Sequence, residues 1–331
     1  MGDKTGIEWT EATWNPIVGC SLVSPGCTNC YAMGVAARLL DGNPKAPHYA
    51  GTTQPSKGGP VWTGKVALAP EHILEQPLRW SRPRVIFVNS MGDLFHEDVP
   101  GHWINQVFAI MALCPQHTFQ ILTKRADRMH EWCTWPSRKR DIDGTIWSQL
   151  GTPWGSKIKH GGNWQCTYPL PNVWLGVSAE DQRRADERLP ILVQTPAAVR
   201  FVSAEPLIGP VDLSRWLAVE NIKLNGKPHW TERTGEVPQI GWVIGGGESG
   251  KGARPMHPDW ARSLRDQCAA ADVPFFFKQW GEWVTELQSP EDIVLPSSSR
   301  RQNGVQVWRA GKKAAGSLLD GREHKDMPVR P

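Results

Sequence analysis

The chain has 331 residues, 40% hydrophobic and 21% charged, ordinary values for a soluble chain with a core, and its length allows two domains of ~150 residues or one barrel with insertions. Its longest apolar runs, such as Val85-Ile86-Phe87-Val88, fall far short of the ~20 residues that span a bilayer. The first twenty residues carry Asp3, Glu8 and Glu11 and no apolar stretch, so the expectation is a cytoplasmic protein. Net charge is +4, but eight Lys/Arg and three Asp/Glu lie from Pro296 onward, which leaves the preceding residues at −1. A basic end on a near-neutral body suggests contact with a polyanion, or simply a solvated end.

Short runs, apolar on both faces, read in chain order as buried strands: Ala12–Val18, Val85–Asn89, Thr118–Thr123, Val173–Ser178, Val199–Ser203, Gly241–Ile244 and Pro274–Phe277. Helical spacing falls between them, over Tyr31–Leu40, Glu71–Trp80, His102–Leu113, Asp181–Gln194 and Asp259–Ala271. Alternating strands and helices predict an α/β fold with a parallel sheet. About seven βα units favour a full or partial (βα) barrel of the TIM-like type. Gly/Pro-rich stretches at 41–64, 151–172 and 218–239 read as insertions, and 282–331 as a basic C-terminal extension to a barrel over 1–281.

In such a barrel the chemistry gathers at the carboxyl ends of the strands. Those ends are polar here: Asn15 before the Cys20 loop, then Asn89, Ser90 and Asp93, then Thr123, Lys124 and Arg125. Ser178 and Glu180 follow, then Ser203 and Glu205, then Gly246, Gly247, Glu248 and Ser249, and finally Lys278 and Gln279. The 18 Trp, against 8 Phe and 3 Tyr, suit base stacking and irregular cores equally.

Seven cysteines make an odd count, which argues against a disulfide framework. Four are scattered, Cys114, Cys133, Cys166 and Cys268. The other three, Cys20, Cys27 and Cys30, form a C-x6-C-x2-C cluster in a loop opened by Pro25-Gly26, directly after the first strand. A structural zinc wants four protein ligands. An iron–sulfur cluster that keeps one iron open needs only three thiolates. The pairs Cys114/His117 and His130/Cys133 imitate a zinc knuckle, but a predicted strand separates them, so packing and surface are their expected uses.

These residues carry a resemblance. A three-cysteine loop after strand one of a (βα) barrel resembles the radical S-adenosylmethionine superfamily. Over nearly its whole length the chain is similar to the phage-associated, three-Cys-motif radical-SAM-like proteins of phages and bacteria. The matching segments are Trp14-Asn15-Pro16, Gly19-Cys20, Gly26-Cys27-Thr28-Asn29-Cys30-Tyr31-Ala32, the stretch from Val88 to His96, and Ile121-Leu122-Thr123-Lys124-Arg125. Leu175 to Glu180, Phe201 to Leu207 and Gly245–Pro255 complete the set.

The resemblance implies that Cys20, Cys27 and Cys30 hold a [4Fe–4S] cluster whose fourth iron binds S-adenosylmethionine. One-electron reduction, by a flavodoxin- or ferredoxin-like donor, would then yield a 5′-deoxyadenosyl radical. Gly246-Gly247-Glu248 resembles the superfamily's element for the methionine amino group, though there it follows the second strand and here the sixth. By position Ser178 and Glu180 fit a carboxylate or ribose contact, and Asn89 and Glu205 complete the expected cofactor set. The superfamily usually spaces its cysteines C-x3-C-x2-C, so the first gap here is longer.

Asp93, Lys124, Arg125 and Lys278 are the expected substrate contacts. With Trp308, Arg309, Lys312 and Lys313 in the tail, they make nucleic acid or a nucleotide the expected substrate class. The alternative is a non-catalytic zinc or iron–sulfur module that binds nucleic acid or a partner protein. Gly245 to Lys251 also imitates a phosphate-binding loop, but Pro255 and Pro258 delay the helix such a loop requires.

Overall fold

The structure, a computed structural model, describes residues 5–148, 165–217, 240–286, 299–302 and 304–329, together with the backbone of 223–224 and 227–228. Seven strands form one sheet in sequence order: β1 (Ala12–Trp14), β2 (Val85–Val88), β3 (Thr118–Thr123), β4 (Val173–Ser178), β5 (Val199–Ala204), β6 (Trp242–Gly245) and β7 (Phe275–Phe277). The strands of this sheet run parallel, with Thr13 beside Phe87, Phe87 beside Gln120 and Gln120 beside Trp174 from β1 to β4. From β5 to β7 the register runs Ala204↔Gly245 and Gly245↔Phe277. All residues of β2 and β4 are buried, as a parallel sheet covered on both faces requires. Among the described residues β1 and β7 do not pair, so the sheet is consistent with a partial (βα) barrel.

The chain divides into two compact units, one built mainly from Met1–Val177 and the other from Ser178–Gln194 with Val199–Pro328. The first carries α1 (Tyr31–Val35), α2 (Gly101–Ala112), α3 (Ala126–Thr134) and α4 (Arg138–Ser148). The second carries α5 (Gln182–Leu192), begun by the Asp181 side chain accepting from Arg184 N, and α6 (Pro258–Ala270), with Pro258 in its first turn. Trp14, Trp174, Trp242 and Trp280 are among the largest fully buried side chains, so these four tryptophans serve the core rather than a stacking surface.

Four expectations need correction. The first strand stops at Trp14 because Pro16 has no N–H to give a ladder; Ile17–Val18 instead pairs antiparallel with Ala67–Leu68. The expected helix over Tyr31–Leu40 turns into a π-helical turn at Ala36–Leu40. The one over Glu71–Trp80 breaks at Glu75 into two single turns, Pro77 starting the second. Helices α3 and α4 were not anticipated.

Of the expected insertions, 41–64 folds into a 3-10 turn, Pro47–Tyr49, and a hairpin of Thr53–Ser56 with Gly59–Trp62. Residues 151–164 and most of 218–239 lie outside the described residues. Within the latter, the backbones of Lys223–Leu224 and Lys227–Pro228 pair antiparallel.

The described residues of the C-terminal extension form a small sheet and a return to β7. β8 (Trp283–Thr285), β9 (Ser299–Gln302) and β10 (Val305–Arg309) make an antiparallel sheet in the order β8-β10-β9. The chain then returns to β7, where Phe277 N donates to His324 O and Asp326 N to Phe275 O. No helix among the described residues is long and apolar enough to cross a membrane.

Candidate functional site: a cysteine loop and buried arginine–carboxylate pairs

In the first unit the β1 exit is fixed by side-chain amides. Asn89, in a left-handed backbone conformation at φ 61°, gives its N–H to Trp14 O and accepts from Ile17 N at 3.2 Å. Its buried Nδ2 has no partner among the described residues. Asn15 Oδ1 accepts from Met91 N and Ser90 Oγ, both at 3.1 Å. Gly19, at φ 88°, brings the chain so close to Lys65 that a Cβ would sit 2.0 Å from Lys65 O. The cysteines follow at once.

Pro25–Cys27 forms a 3-10 turn in which Cys27 N donates to Ser24 O, and Cys30 N donates back to Cys27 O. Cys27 Sγ lies 3.8 Å from Ser24 Oγ. Cys20 and Cys30 pack against one apolar cluster that includes Val18, Met33, Tyr49, Trp62 and Met91. Burial, then the Asp93 carboxylate, pushes the Cys20 thiol up to about 12, against the pull of Arg125. Burial also raises Cys30, against the backbone amides of Met33 and Ala32. Both would have to shed a proton on ligation.

The residues can be tested against the groups expected of them. Among the described residues no three His, Cys, Asp or Glu gather tightly enough to hold a metal ion. One zinc at ~2.3 Å from each sulfur would bring its thiols within about 4 Å of one another. A cubane cluster spreads its thiolates over separate irons and takes three cysteines with one iron left open. As donor chemistry, three soft sulfurs in one loop, two of them against apolar packing, suit an iron–sulfur cluster. Cys114, Cys133 and His117 are buried, and His117 Nε2 reaches Pro77 O, so these residues serve packing.

Arg125 organises the loop from the end of β3. Its Nη1 donates to Asp93 Oδ2 at 3.0 Å and lies 3.7 Å from Cys20 Sγ. Its Nε meets Glu97 Oε2 at 2.6 Å, and Nη2 donates to Ser21 Oγ at 2.6 Å. Asp93 is itself filled, accepting also from Thr123 Oγ1 and Phe95 N. Burial raises the Glu97 carboxyl, but the Arg125 hydrogen bond and charge outweigh it and leave it at about 2.

Ser21 and His96 stand 2.9 Å apart, but they do not form a nucleophile and base. His96 Nδ1 accepts from Asp98 N, so the proton sits on Nε2, which donates to Ser21 Oγ and cannot take its proton. Burial, then Arg125, lowers the His96 pKa and keeps the ring neutral.

The strand ends of the second unit hold three ion pairs. Glu180 is fully buried against Arg188, at 2.9 Å, and the same guanidinium donates to Ser178 O. Glu248 is gripped by Arg254 through Nη2 at 2.7 Å and Nε at 2.8 Å, and by the Arg254 backbone N–H. Glu205 pairs with Lys278 at 2.7 Å.

Gly246 lies beside both Lys278 and Glu205, and at Gly247 a Cβ would sit 1.9 Å from Trp280 O. These glycines thus admit the Lys278–Trp280 backbone. No helix starts after Lys251 until Pro258, in keeping with the expectation that this is no phosphate-binding loop.

The structure brings Asp93, Arg125 and Cys20 together in one unit, and Glu205, Gly246 and Lys278 together in the other. Sequence reasoning missed Ser21, His96, Glu97, Arg188 and Arg254. His96 and Arg254 lay inside segments already singled out; Arg188 carried no spacing signal. In the tail, Arg309 donates to Gly250 O and Lys325 to Phe277 O, whereas Lys312 and Lys313 are exposed.

No curated protein and no solved structure matches the chain. A family model described as protein of unknown function (DUF5131) matches residues 4–328. This span is nearly the whole chain, and the chain belongs to that family.

Proposed function

We propose that the protein is an iron–sulfur enzyme of the radical S-adenosylmethionine type, with Cys20, Cys27 and Cys30 as the cluster ligands. One observation carries the reading: three cysteines fall within eleven residues directly after the first strand of a parallel sheet, and two of them pack against a common apolar cluster. Cys20, Cys27 and Cys30 would hold a [4Fe–4S] cluster with an open iron, which, with S-adenosylmethionine and an electron from a flavodoxin- or ferredoxin-like donor, would supply radical chemistry for hydrogen abstraction, methionine being released.

The chain's own residues would hold and shield that chemistry. Val18, Met33, Trp62 and Met91 would cover one side of the Cys20 and Cys30 thiols. Glu180 and Glu248 already have arginine partners, so they shape the strand ends. Glu205 and Lys278, a carboxylate and an ammonium side by side, already pair with each other at the strand ends of the second unit. A nucleic acid or nucleotide is the substrate class we favour, with exposed Lys312 and Lys313 as phosphate contacts.

Iron, sulfide and zinc analysis of anaerobically purified protein tests the reading. About four irons and four sulfides per chain are expected, followed by reductant-dependent release of 5′-deoxyadenosine. One zinc without sulfide would overturn it and leave a metal-bearing binding module.

A further inference from the structure

Arg125 has more anchors than a loop cap requires. Its guanidinium is nearly buried, with 9% of the side chain exposed, and engages Asp93, Glu97, Ser21 and the Cys20 sulfur at once. Asp93 is in turn held by the Thr123 hydroxyl and the Phe95 N–H. Ser21, the residue next to Cys20, is pinned from three sides by Arg125, Glu97 and His96. A planar fork held by two carboxylates has little freedom, so the N–H that faces Cys20 Sγ is aimed there by its surroundings. The three remaining partners serve to hold that aim.

We infer that Arg125 is a positioning residue for the Cys20 ligand: its fork fixes the sulfur at the head of the long first cysteine gap and, through an N–H···S contact, raises the reduction potential of the group that Cys20 holds. This rests on the reading of the three cysteines as cluster ligands. Hydrogen bonds and positive charge at a ligand sulfur stabilise the more negative, reduced state. Glu97 opposes this by neutralising part of the guanidinium charge. It reaches Arg125 from the solvent side, with 57% of its side chain exposed, so it can be changed without opening the core. The two residues therefore have opposite signs.

The experiment is a redox titration, followed by visible absorption, of anaerobically reconstituted full-length protein, with iron and sulfide counted in each sample. The proteins are the parent, Arg125→Gln, Arg125→Lys and Glu97→Gln. In Arg125→Gln the oxidised-to-reduced ratio at fixed poise rises about tenfold, which is about 59 mV downward for a one-electron couple. Arg125→Lys, a point charge without the fork, falls between that variant and the parent. Glu97→Gln moves the potential upward.

A purely structural clamp would change iron content or melting temperature and leave the potential where it was. If Arg125→Gln fails to fold, the upward shift in Glu97→Gln decides alone. Equal potentials in parent and Glu97→Gln, with iron present in both, overturn the clamp and leave the cysteine assignment standing. A parent that retains neither iron nor sulfide overturns the assignment and the clamp together.

Discussion

Cys27 and Cys268 are both thiols under cover, yet their surroundings ask different things of them. Cys27 closes a 3-10 turn beside Ser24 within the cysteine loop, whereas Cys268 is fully buried on α6, where burial alone pushes its thiol up to about 12. Cys27→Ala is therefore expected to abolish iron retention while the melting curve stays close to the parent's. Cys268→Ala should keep its iron and lose about 1 kcal/mol from packing. Metal analysis and thermal melts on both variants separate the roles, and equal iron in Cys27→Ala and parent would remove the site assignment. Gly247 makes a second, independent prediction. Its missing Cβ would meet the Trp280 carbonyl at 1.9 Å, and backbone cannot yield as a flexible side chain can. Gly247→Ala should destabilise by about 2–3 kcal/mol, measured by urea unfolding, whereas Gly58→Ala, with nothing nearer than 4.0 Å, should be close to neutral.

Elements are held to one another by a few charged residues, and Asp320 is the clearest case. It accepts from Arg262 Nη2 at 2.7 Å and Arg265 Nη1 at 2.6 Å, both on α6, and those contacts hold its carboxyl at about 2 against an ordinary 3.8. A carboxyl depressed in the folded state stabilises above its unfolded value and loses that contribution as the pH falls through the folded one. Asp320→Asn, which tolerates the left-handed φ of 52°, should be less stable than the parent at neutral pH. The difference should close between pH 3.8 and about 2, as melts across that window would show. The same elements show what a sequence discloses. Thr118–Thr123 and Val173–Ser178 were legible to the residue because a strand in the middle of a parallel sheet is apolar on both faces. Helix α3 was not, since its apolar positions Ala126, Met129, Trp132 and Cys133 are interleaved with Asp127, Arg128, His130 and Glu131 in a helix of only 9 residues. Glu180, Glu205 and Glu248 stood out as strand-end carboxylates. Their partners Arg188, Lys278 and Arg254 depend on where the chain turns, so pairing was invisible even though Lys278 itself was noted.

On the scale of the whole molecule, a parallel sheet laid down in chain order leaves its last strand with an open edge, and β7 is that strand. Its sequence, Phe275-Phe276-Phe277, is the kind of apolar edge that invites pairing with another chain. The basic tail answers this. Phe277 N–H finds His324 O, Phe275 O receives Asp326 N–H, and Lys325 Nζ caps the Phe277 carbonyl while lying over the Phe276 ring. Trp242 and Trp280 both send their indole N–H to carbonyls of the same segment, Asp326 O and Leu318 O. Part of the positive charge that suggested a polyanion in the sequence, that of Lys325, is thus used to cover the sheet edge, while Arg300, Arg301, Lys312, Lys313 and Arg322 are exposed. Deleting 317–331 should therefore remove the carbonyls to which the Trp242 and Trp280 indoles donate and leave the β7 edge bare. The expected result is concentration-dependent association in light scattering, with a lower melting temperature even when dilute. A milder change separates edge from bulk: Lys325→Ala keeps the backbone pairing and should keep the parent's state of association with a small loss of stability. A truncated chain that associates no more than the parent and melts with it would show that β7 does not need its cover.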